Sequence, residues 1–207
     1  LGQKELTNTV DELGFRKVPH EPCCMMKNGI IIFFYVDDIV LAYKKGKERE
    51  AKQISNRLKQ KYQLTGGNPL QWFLGIEVTR DRARKLIWLS QTAYIDKIAN
   101  LSESPERRQT APMTGPELLP SDGRASMAST RKYQRKVGSI LYAAVITRPD
   151  VAFAVSRLAR FNMNPSDEHH VAADRVLQYL QQTRCLGLQL GGGDSFLVAS
   201  DASFADN

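Results

Sequence analysis

An α+β fold is predicted by three observations. Two segments of β-branched and aromatic residues each fold back as a hairpin, several stretches carry helical apolar spacing, and a polar, Ser/Pro/Gly-rich interval lies between the two kinds of structure. The chain has 207 residues, which at roughly 150 residues per domain makes one large domain or two small ones.

The spacing of Leu6, Val10 and Leu13 predicts a helix over 4–13, stopped by Gly14, and Pro19 and Pro22 mark a loop. Residues 30–36 (Ile-Ile-Ile-Phe-Phe-Tyr-Val) and 39–43 (Ile-Val-Leu-Ala-Tyr) predict two short buried strands joined at a two-residue tip, Asp37-Asp38. A continuous buried strand would have to desolvate two adjacent charges, so the tip must reach solvent or a cation. Ala51, Ile54, Leu58 and Tyr62 predict an amphipathic helix over 48–62, ended by Gly66-Gly67-Asn68-Pro69. Residues 72–78 read as one strand and 86–89 as its hairpin partner, followed by a short helix over 92–101. The interval 102–129 has little periodicity and reads as a connecting loop and a domain boundary.

Helical signals resume with a stripe of Tyr133, Val137, Ile140, Leu141, Ala144 and Val145. Thr147-Arg148-Pro149-Asp150 predicts a helix start, with Thr147 as N-cap of a helix over 148–161. Ser166 caps a third helix that turns Ala172, Ala173, Val176, Leu177 and Leu180 inward. Residues 185–190 read as a strand, 191–193 as a glycine turn, and 195–200 as another strand ending at Asp201.

Composition narrows the function classes. Hydrophobic residues are 42% and charged residues 25%, which excludes a disordered, collagen-like or coiled-coil chain. No apolar run approaches the ~18 residues that cross a bilayer, because Asp37 and Asp38 interrupt the longest one. Three cysteines, two of them adjacent, supply neither a disulfide framework nor a zinc-ligand spacing, and fit a reducing intracellular compartment. The amino terminus has no initiating Met and no signal peptide, so the chain reads as a piece of something longer. The net charge of +7 is concentrated between Lys44 and Lys61. Such a run is ordinarily a solvated helix face; clustering makes it a nucleic-acid footprint.

Adjacent carboxylates at a hairpin tip suit a hard divalent cation, which accepts carboxylate oxygens and keeps waters for substrate phosphates. Nucleotidyl transfer uses such a clamp to activate a 3′ oxygen and steady the leaving pyrophosphate. An Asp-Asp pair alone is most often an ordinary exposed turn, and its flanks change that reading.

Tyr35-Val36-Asp37-Asp38 between two apolar strands resembles the palm motif of reverse transcriptases, and the segments that follow resemble the copia-type long-terminal-repeat retrotransposons. Phe73-Leu74-Gly75-Ile76-Glu77 is similar to the primer-grip hairpin, and Leu89-Ser90-Gln91-Thr92-Ala93-Tyr94-Ile95 to the segment after it. Gly138-Ser139-Ile140-Leu141-Tyr142, Thr147-Arg148-Pro149-Asp150-Val151 and Val176-Leu177-Gln178-Tyr179-Leu180 are similar to the family's thumb and connection helices.

The resemblance implies a partial palm over 1–90, a mainly helical thumb and connection over 91–190, and the first strands of a ribonuclease H-like domain over 191–207. It implies that Asp37 is a magnesium (or manganese) ligand, that Asp38 supports the metal site, and that Tyr35 and Val36 face the primer terminus and template. Trp72, Phe73, Leu74 and Gly75 would position the primer, although core packing accounts for the two aromatic residues as well. Lys44, Lys45, Lys47, Lys52 and Arg57 become phosphate-contact candidates. Asp201 resembles the first metal-binding Asp of ribonuclease H, whereas His169 and His170 read as packing or surface residues.

The parent would be an RNA-directed DNA polymerase acting on an RNA template, a DNA primer and deoxynucleotides. It would lie within the Pol polyprotein of a cytoplasmic virus-like particle, with a nuclear stage. The family's other palm Asp and its fingers would precede Leu1, and further ribonuclease H carboxylates would follow Asn207. This chain alone is therefore expected to be inactive and poorly soluble, its palm hairpin lacking sheet neighbours. The alternative is a non-catalytic nucleic-acid-binding or assembly remnant.

Overall fold

The computed structural model describes residues 2–193. The expected ribonuclease H strand over 195–200 and Asp201 lie outside the described residues. Contacts divide the chain into two units, Leu1–Leu70 and Gln71–Asn207. Each is a mixture of helices and an antiparallel sheet, so the α+β class holds. Among the described residues no helix is long and apolar enough to cross a membrane.

The first unit contains α1 (Gln3–Glu12), β1 (Arg16–Val18), β2 (Glu21–Lys27), β3 (Ile30–Tyr35), β4 (Asp38–Tyr43) and α2 (Glu48–Tyr62). Its sheet runs in the order β1-β2-β3-β4, all antiparallel. The expectation of a hairpin without neighbours is therefore corrected: β2 flanks β3, and β1 flanks β2. The loop expected around Pro19 and Pro22 is instead a two-residue turn, Pro19-His20, between two strands. Pro presets the first turn position and His20 takes positive φ (65°) at the second. Pro22 is tolerated in a strand because the β1–β2 pairing shifts register between Lys17 and Val18, leaving no ladder bond to lose there. Asn28-Gly29 then turns β2 into β3 with φ of 47° and 81°, the left-handed pair that a tight hairpin needs. One face of the sheet packs Met25, Ile30, Ile32 and Phe34 against Leu6 and Val10 of α1 and Ala51, Ile54 and Leu58 of α2.

The second unit opens with β5 (Trp72–Phe73), β6 (Ile76–Asp81) and β7 (Leu86–Ser90), joined at the far end of the chain by β8 (Leu188–Gly191) in the order β5-β6-β7-β8. Its helices are α3 (Thr92–Ala99), α4 (Met127–Ile146), α5 (Ala152–Ala159) and α6 (Asp167–Gln182). They share one core, in which Tyr133, Ile140, Leu158, Leu177 and Leu180 are fully buried. Two expectations are corrected here. Residues 149–151 form a 3-10 turn before α5, and Thr147 does not cap it; its hydroxyl donates to Gln91 Oε1 at 2.8 Å. Leu141 and Val145 lie on the exposed side of α4, not in its buried stripe.

The interval expected as loop over 102–129 ends at the Ser126 cap of α4, so its last three residues are helical, and it is no boundary. The carboxylate of Asp174 on α6 accepts from Glu103 N (3.1 Å), Ser104 N (3.0 Å) and Ser104 Oγ (2.9 Å). One and two turns on, Gln178 accepts from Arg107 N and Gln182 from Gln109 N. Spacing of four residues puts these three side chains in a row along the helix. Asp174 also pairs with Lys136 Nζ at 2.6 Å, both side chains being 3% exposed. Ser166 caps α6 as expected, and His169 completes a capping box while bonding Leu119 O at 3.0 Å. Arg148, fully buried, clasps Asp150 through two nitrogens (2.9 and 2.7 Å) and Thr183 through its carbonyl and hydroxyl (3.1 and 2.7 Å).

Two outcomes are expected in unfolding experiments. Asp174→Ala leaves buried Lys136 only the more distant carboxylate of exposed Glu103, at 3.6 Å, and strands the backbone N–H groups of Glu103 and Ser104, so urea denaturation should show a loss of about 3 kcal/mol. Burial pushes the Asp150 carboxyl up, but hydrogen bonds and charge from Arg148, with help from Tyr179, outweigh it and hold the group below the usual range. A depressed carboxylate stabilises the fold above its unfolded pKa of about 4 and loses that contribution as pH falls through its folded value. Thermal melts should therefore decline on acidification below about pH 4, and less steeply in Asp150→Asn.

Candidate functional site

Alternation along β3 decides where the carboxylates go. Ile30, Ile32 and Phe34 point into the core, while Ile31, Phe33 and Tyr35 face the other way. Phe34 lies opposite Ile39 and Tyr35 opposite Asp38. The two-residue tip is therefore Val36-Asp37, not Asp37-Asp38 as the sequence suggested; Asp38 opens β4. A tip one residue later would break the pairing of the buried Phe34 with Ile39. Val36 consequently takes φ of 52°, a left-handed conformation rare for a β-branched residue, while its side chain stands 72% exposed. Tyr35, Asp37 and Asp38 are exposed around it. Both carboxylates reach solvent, as the desolvation argument requires.

Adjacent exposed carboxylates offer hard oxygen donors of the kind magnesium takes. Among the described residues, however, no group of three or more His, Cys, Asp or Glu side chains could hold a metal ion. Asp37 and Asp38 fit part of a site. His169 and His170 belong to the α6 cap and its surroundings, with His170 Nε2 3.0 Å from Ser129 Oγ.

A second hairpin presents the aromatic candidates. Residues 72–78 are not one strand: Leu74 and Gly75, with φ of 52° and 78°, form a tight turn between β5 and β6. Trp72 is 54% exposed and so is not core, Phe73 is half-buried, and Leu74 stands exposed at the tip. Trp72 shares its face with Glu77 and Ser90, which bond each other at 3.1 Å.

The basic run separates into committed and available side chains. Lys47 pairs with Glu50 at 3.0 Å, Lys59 donates to Gly66 O at 2.5 Å, and Lys61 donates to Thr9 Oγ1 at 2.8 Å. Arg49, Lys52 and Arg57 lie on the arc of α2 opposite Ala51, Ile54 and Leu58, exposed and without an ion-pair partner among the described residues. Lys44 and Lys45 follow β4, also exposed. One surface escaped the sequence reading. On α4, Gln134, Gly138, Leu141, Tyr142 and Val145 form an exposed, largely apolar arc, and a side chain at Gly138 would meet open space. The available signal was that α4 is apolar on more than one face.

A family profile described as reverse transcriptase (RNA-dependent DNA polymerase) matches residues 2–114. The chain is 31% identical over 206 residues to the retrovirus-related Pol polyprotein from transposon TNT 1-94 of Nicotiana tabacum, covering 92% of this chain and 15% of the relative. It is 31% identical to the Pol polyprotein from transposon RE1 of Arabidopsis thaliana, covering 97% and 14%. It is 30% identical to the putative transposon Ty5-1 protein YCL074W of Saccharomyces cerevisiae, covering 98% and 67%. The chain thus spans about one seventh of the two plant polyproteins. No solved structure matches it.

Left-handed backbone at a β-branched residue costs about 1–3 kcal/mol. Val36→Gly relieves that strain while removing little buried surface, so chemical denaturation should show a gain of about 1 kcal/mol.

Proposed function

The chain belongs to the reverse transcriptase (RNA-dependent DNA polymerase) family, and we propose that it is the palm, thumb and connection part of a copia-type Pol polyprotein that adds deoxynucleotides to a DNA primer on an RNA template. The observation that carries this reading is the β3–β4 tip, where two carboxylates stand in solvent beside exposed Tyr35 and Val36 at the end of a hairpin in which only alternate residues of β3 are buried and β4 is half-exposed, not buried as its sequence suggested. Asp37 and Asp38 would hold magnesium or manganese, which supplies activation of the primer 3′ oxygen and neutralisation of the leaving pyrophosphate.

The chain's own residues do the rest. Tyr35 and Val36 offer an apolar platform to the terminal base pair. Trp72 and the Leu74-Gly75 turn offer aromatic and backbone contacts to the primer strand, suited to sugar and base rather than charge. Lys44, Lys45, Lys52 and Arg57 supply sequence-independent attraction to phosphates. The exposed arc of α4 around Gly138 suits close approach to a duplex groove, because nothing projects from its centre. The residues over 191–207, with Asp201, are proposed as the start of ribonuclease H, and the particle and its cytoplasm as the setting.

A second reading is favoured by the observation that, among the described residues, Asp37 and Asp38 belong to no group of three or more potential metal ligands: a duplex-binding remnant without turnover. It predicts that the purified chain binds an RNA–DNA duplex and does not extend the primer with magnesium or manganese. Extension that disappears in Asp37→Asn would instead establish a polymerase complete in itself. Absence of duplex binding would remove both readings. Lys52→Ala combined with Arg57→Ala should reduce the slope of log affinity against log salt by about 2, read by fluorescence anisotropy.

A further inference from the structure

The way α6 grips the loop over 102–126 leaves two arginines without a structural task. Arg107 N donates to Gln178 Oε1 at 3.3 Å, Arg107 O accepts from Gln182 Nε2 at 2.7 Å, and Gln109 N donates to Gln182 Oε1 at 2.7 Å. These bonds hold main chain. The side chains of Arg107 and Arg108 are exposed and make no ion pair or hydrogen bond among the described residues. Exposed, unpaired charges of this kind add little to stability.

Arg107-Arg108 is the only pair of adjacent arginines in the chain, and Gln109 separates it from Thr110. Thr110 is exposed, its hydroxyl has no partner among the described residues, and the loop around it contains neither helix nor strand. The neighbouring hydroxyls are engaged: Ser104 Oγ donates to Asp174, and Ser126 Oγ accepts from Ser129 N. A free hydroxyl on exposed, irregular backbone, preceded at fixed spacing by two guanidinium groups, suits a kinase that selects basic flanks. Carboxylates in such a kinase's substrate groove pair with the arginines and so place the hydroxyl at the γ-phosphate of ATP. The grip of α6 preserves that spacing, since residues 107 and 109 are tied down while the side chains of 107, 108 and 110 stay in solvent. The surroundings also suit the product. Arg175 Nε donates to Ala111 O at 3.3 Å, so a third guanidinium lies beside the residue that follows Thr110. Phosphate brings about −1.5 to −2 charge and three strong acceptor oxygens, which arginines receive through charge-assisted hydrogen bonds.

We propose that Thr110 is phosphorylated by a protein kinase that selects arginine-flanked hydroxyls, and that Arg175 receives the phosphate and so fastens the loop more firmly to α6. In the transfer the Thr110 hydroxyl oxygen bonds to the γ-phosphorus of ATP. The bond from that phosphorus to the β–γ bridging oxygen breaks, ADP leaves, and the hydroxyl proton passes to the kinase's catalytic base. The proposal makes no use of the carboxylate tip and is independent of whether the chain polymerises.

The test incubates the folded chain, checked by circular dichroism, with magnesium ATP and the catalytic subunit of cyclic-AMP-dependent protein kinase as the probe, and locates the phosphate by tandem mass spectrometry. Phosphate is expected on Thr110 and is expected to vanish in Thr110→Val. Arg107→Ala and Arg108→Ala should each lower kcat/KM for the transfer about tenfold. No incorporation at Thr110, or incorporation indifferent to both arginines, overturns the site. The phosphorylated chain should melt a few degrees above the unmodified one, a rise that is missing in Arg175→Gln. A melting temperature unchanged or lowered by the phosphate overturns the role given to Arg175. Should Arg175→Gln fail to fold, phosphorus NMR of the phosphorylated native chain decides: a guanidinium partner holds the second phosphate pKa below its usual value of about 6, and an ordinary value overturns that role.

Discussion

The register of the β3–β4 hairpin is the constraint on which the first unit depends. Ile30, Ile32 and Phe34 are at most 4% exposed, and a slip of one residue would turn all three to solvent. With that pairing held, Tyr35 must face Asp38, only Val36 and Asp37 remain for the turn, and a valine has to adopt left-handed backbone. Exposed carboxylates and a strained apolar tip are thus two results of one hydrophobic pattern, and neither is set locally.

Much of this was legible in the sequence because burial and alternation are the same information. Both halves of the hairpin, the amphipathic α2 with Ala51, Ile54 and Leu58 inward, and the cap at Ser166 follow from spacing alone. The carboxylates were found for the same reason: two adjacent charges inside an apolar run have nowhere to go except a tip. Their exact register was not, since only the pairing of Phe34 with Ile39 distinguishes one two-residue tip from its neighbour. β1 and β2 were missed because Pro19 and Pro22 suggest a loop, although Asn28-Gly29 is a strong hairpin signal. The break at Leu74-Gly75 was hidden by leucine, which no turn rule favours.

A different limit applies to the second unit. Periodicity tells which residues share a helix face, not whether that face is wet. Asp174, Gln178 and Gln182 leave no mark in the apolar spacing of α6, yet they hold a loop to the helix. Leu141 and Val145 read as core and are exposed. Arg148 reads as the first residue of a helix and is instead a fully buried charge ahead of the 3-10 turn, because its guanidinium spans Asp150 and Thr183, joining that turn to the end of α6. Polar groups inside a small domain are affordable only when each finds its partner, and partners distant in sequence leave no short-range trace.

The row of side chains on α6 addresses mainly the main chain of the loop it holds. Asp174, Gln178 and Gln182 accept from the amides of residues 103, 104, 107 and 109, and apart from Ser104 Oγ and Gln109 Nε2 these bonds ignore what the loop's side chains are. Such a grip is largely indifferent to sequence drift: Glu106, Arg107 and Arg108 are free to become almost anything, and imino acids are barred where an amide must donate. The loop's path is encoded some seventy residues away from the loop itself.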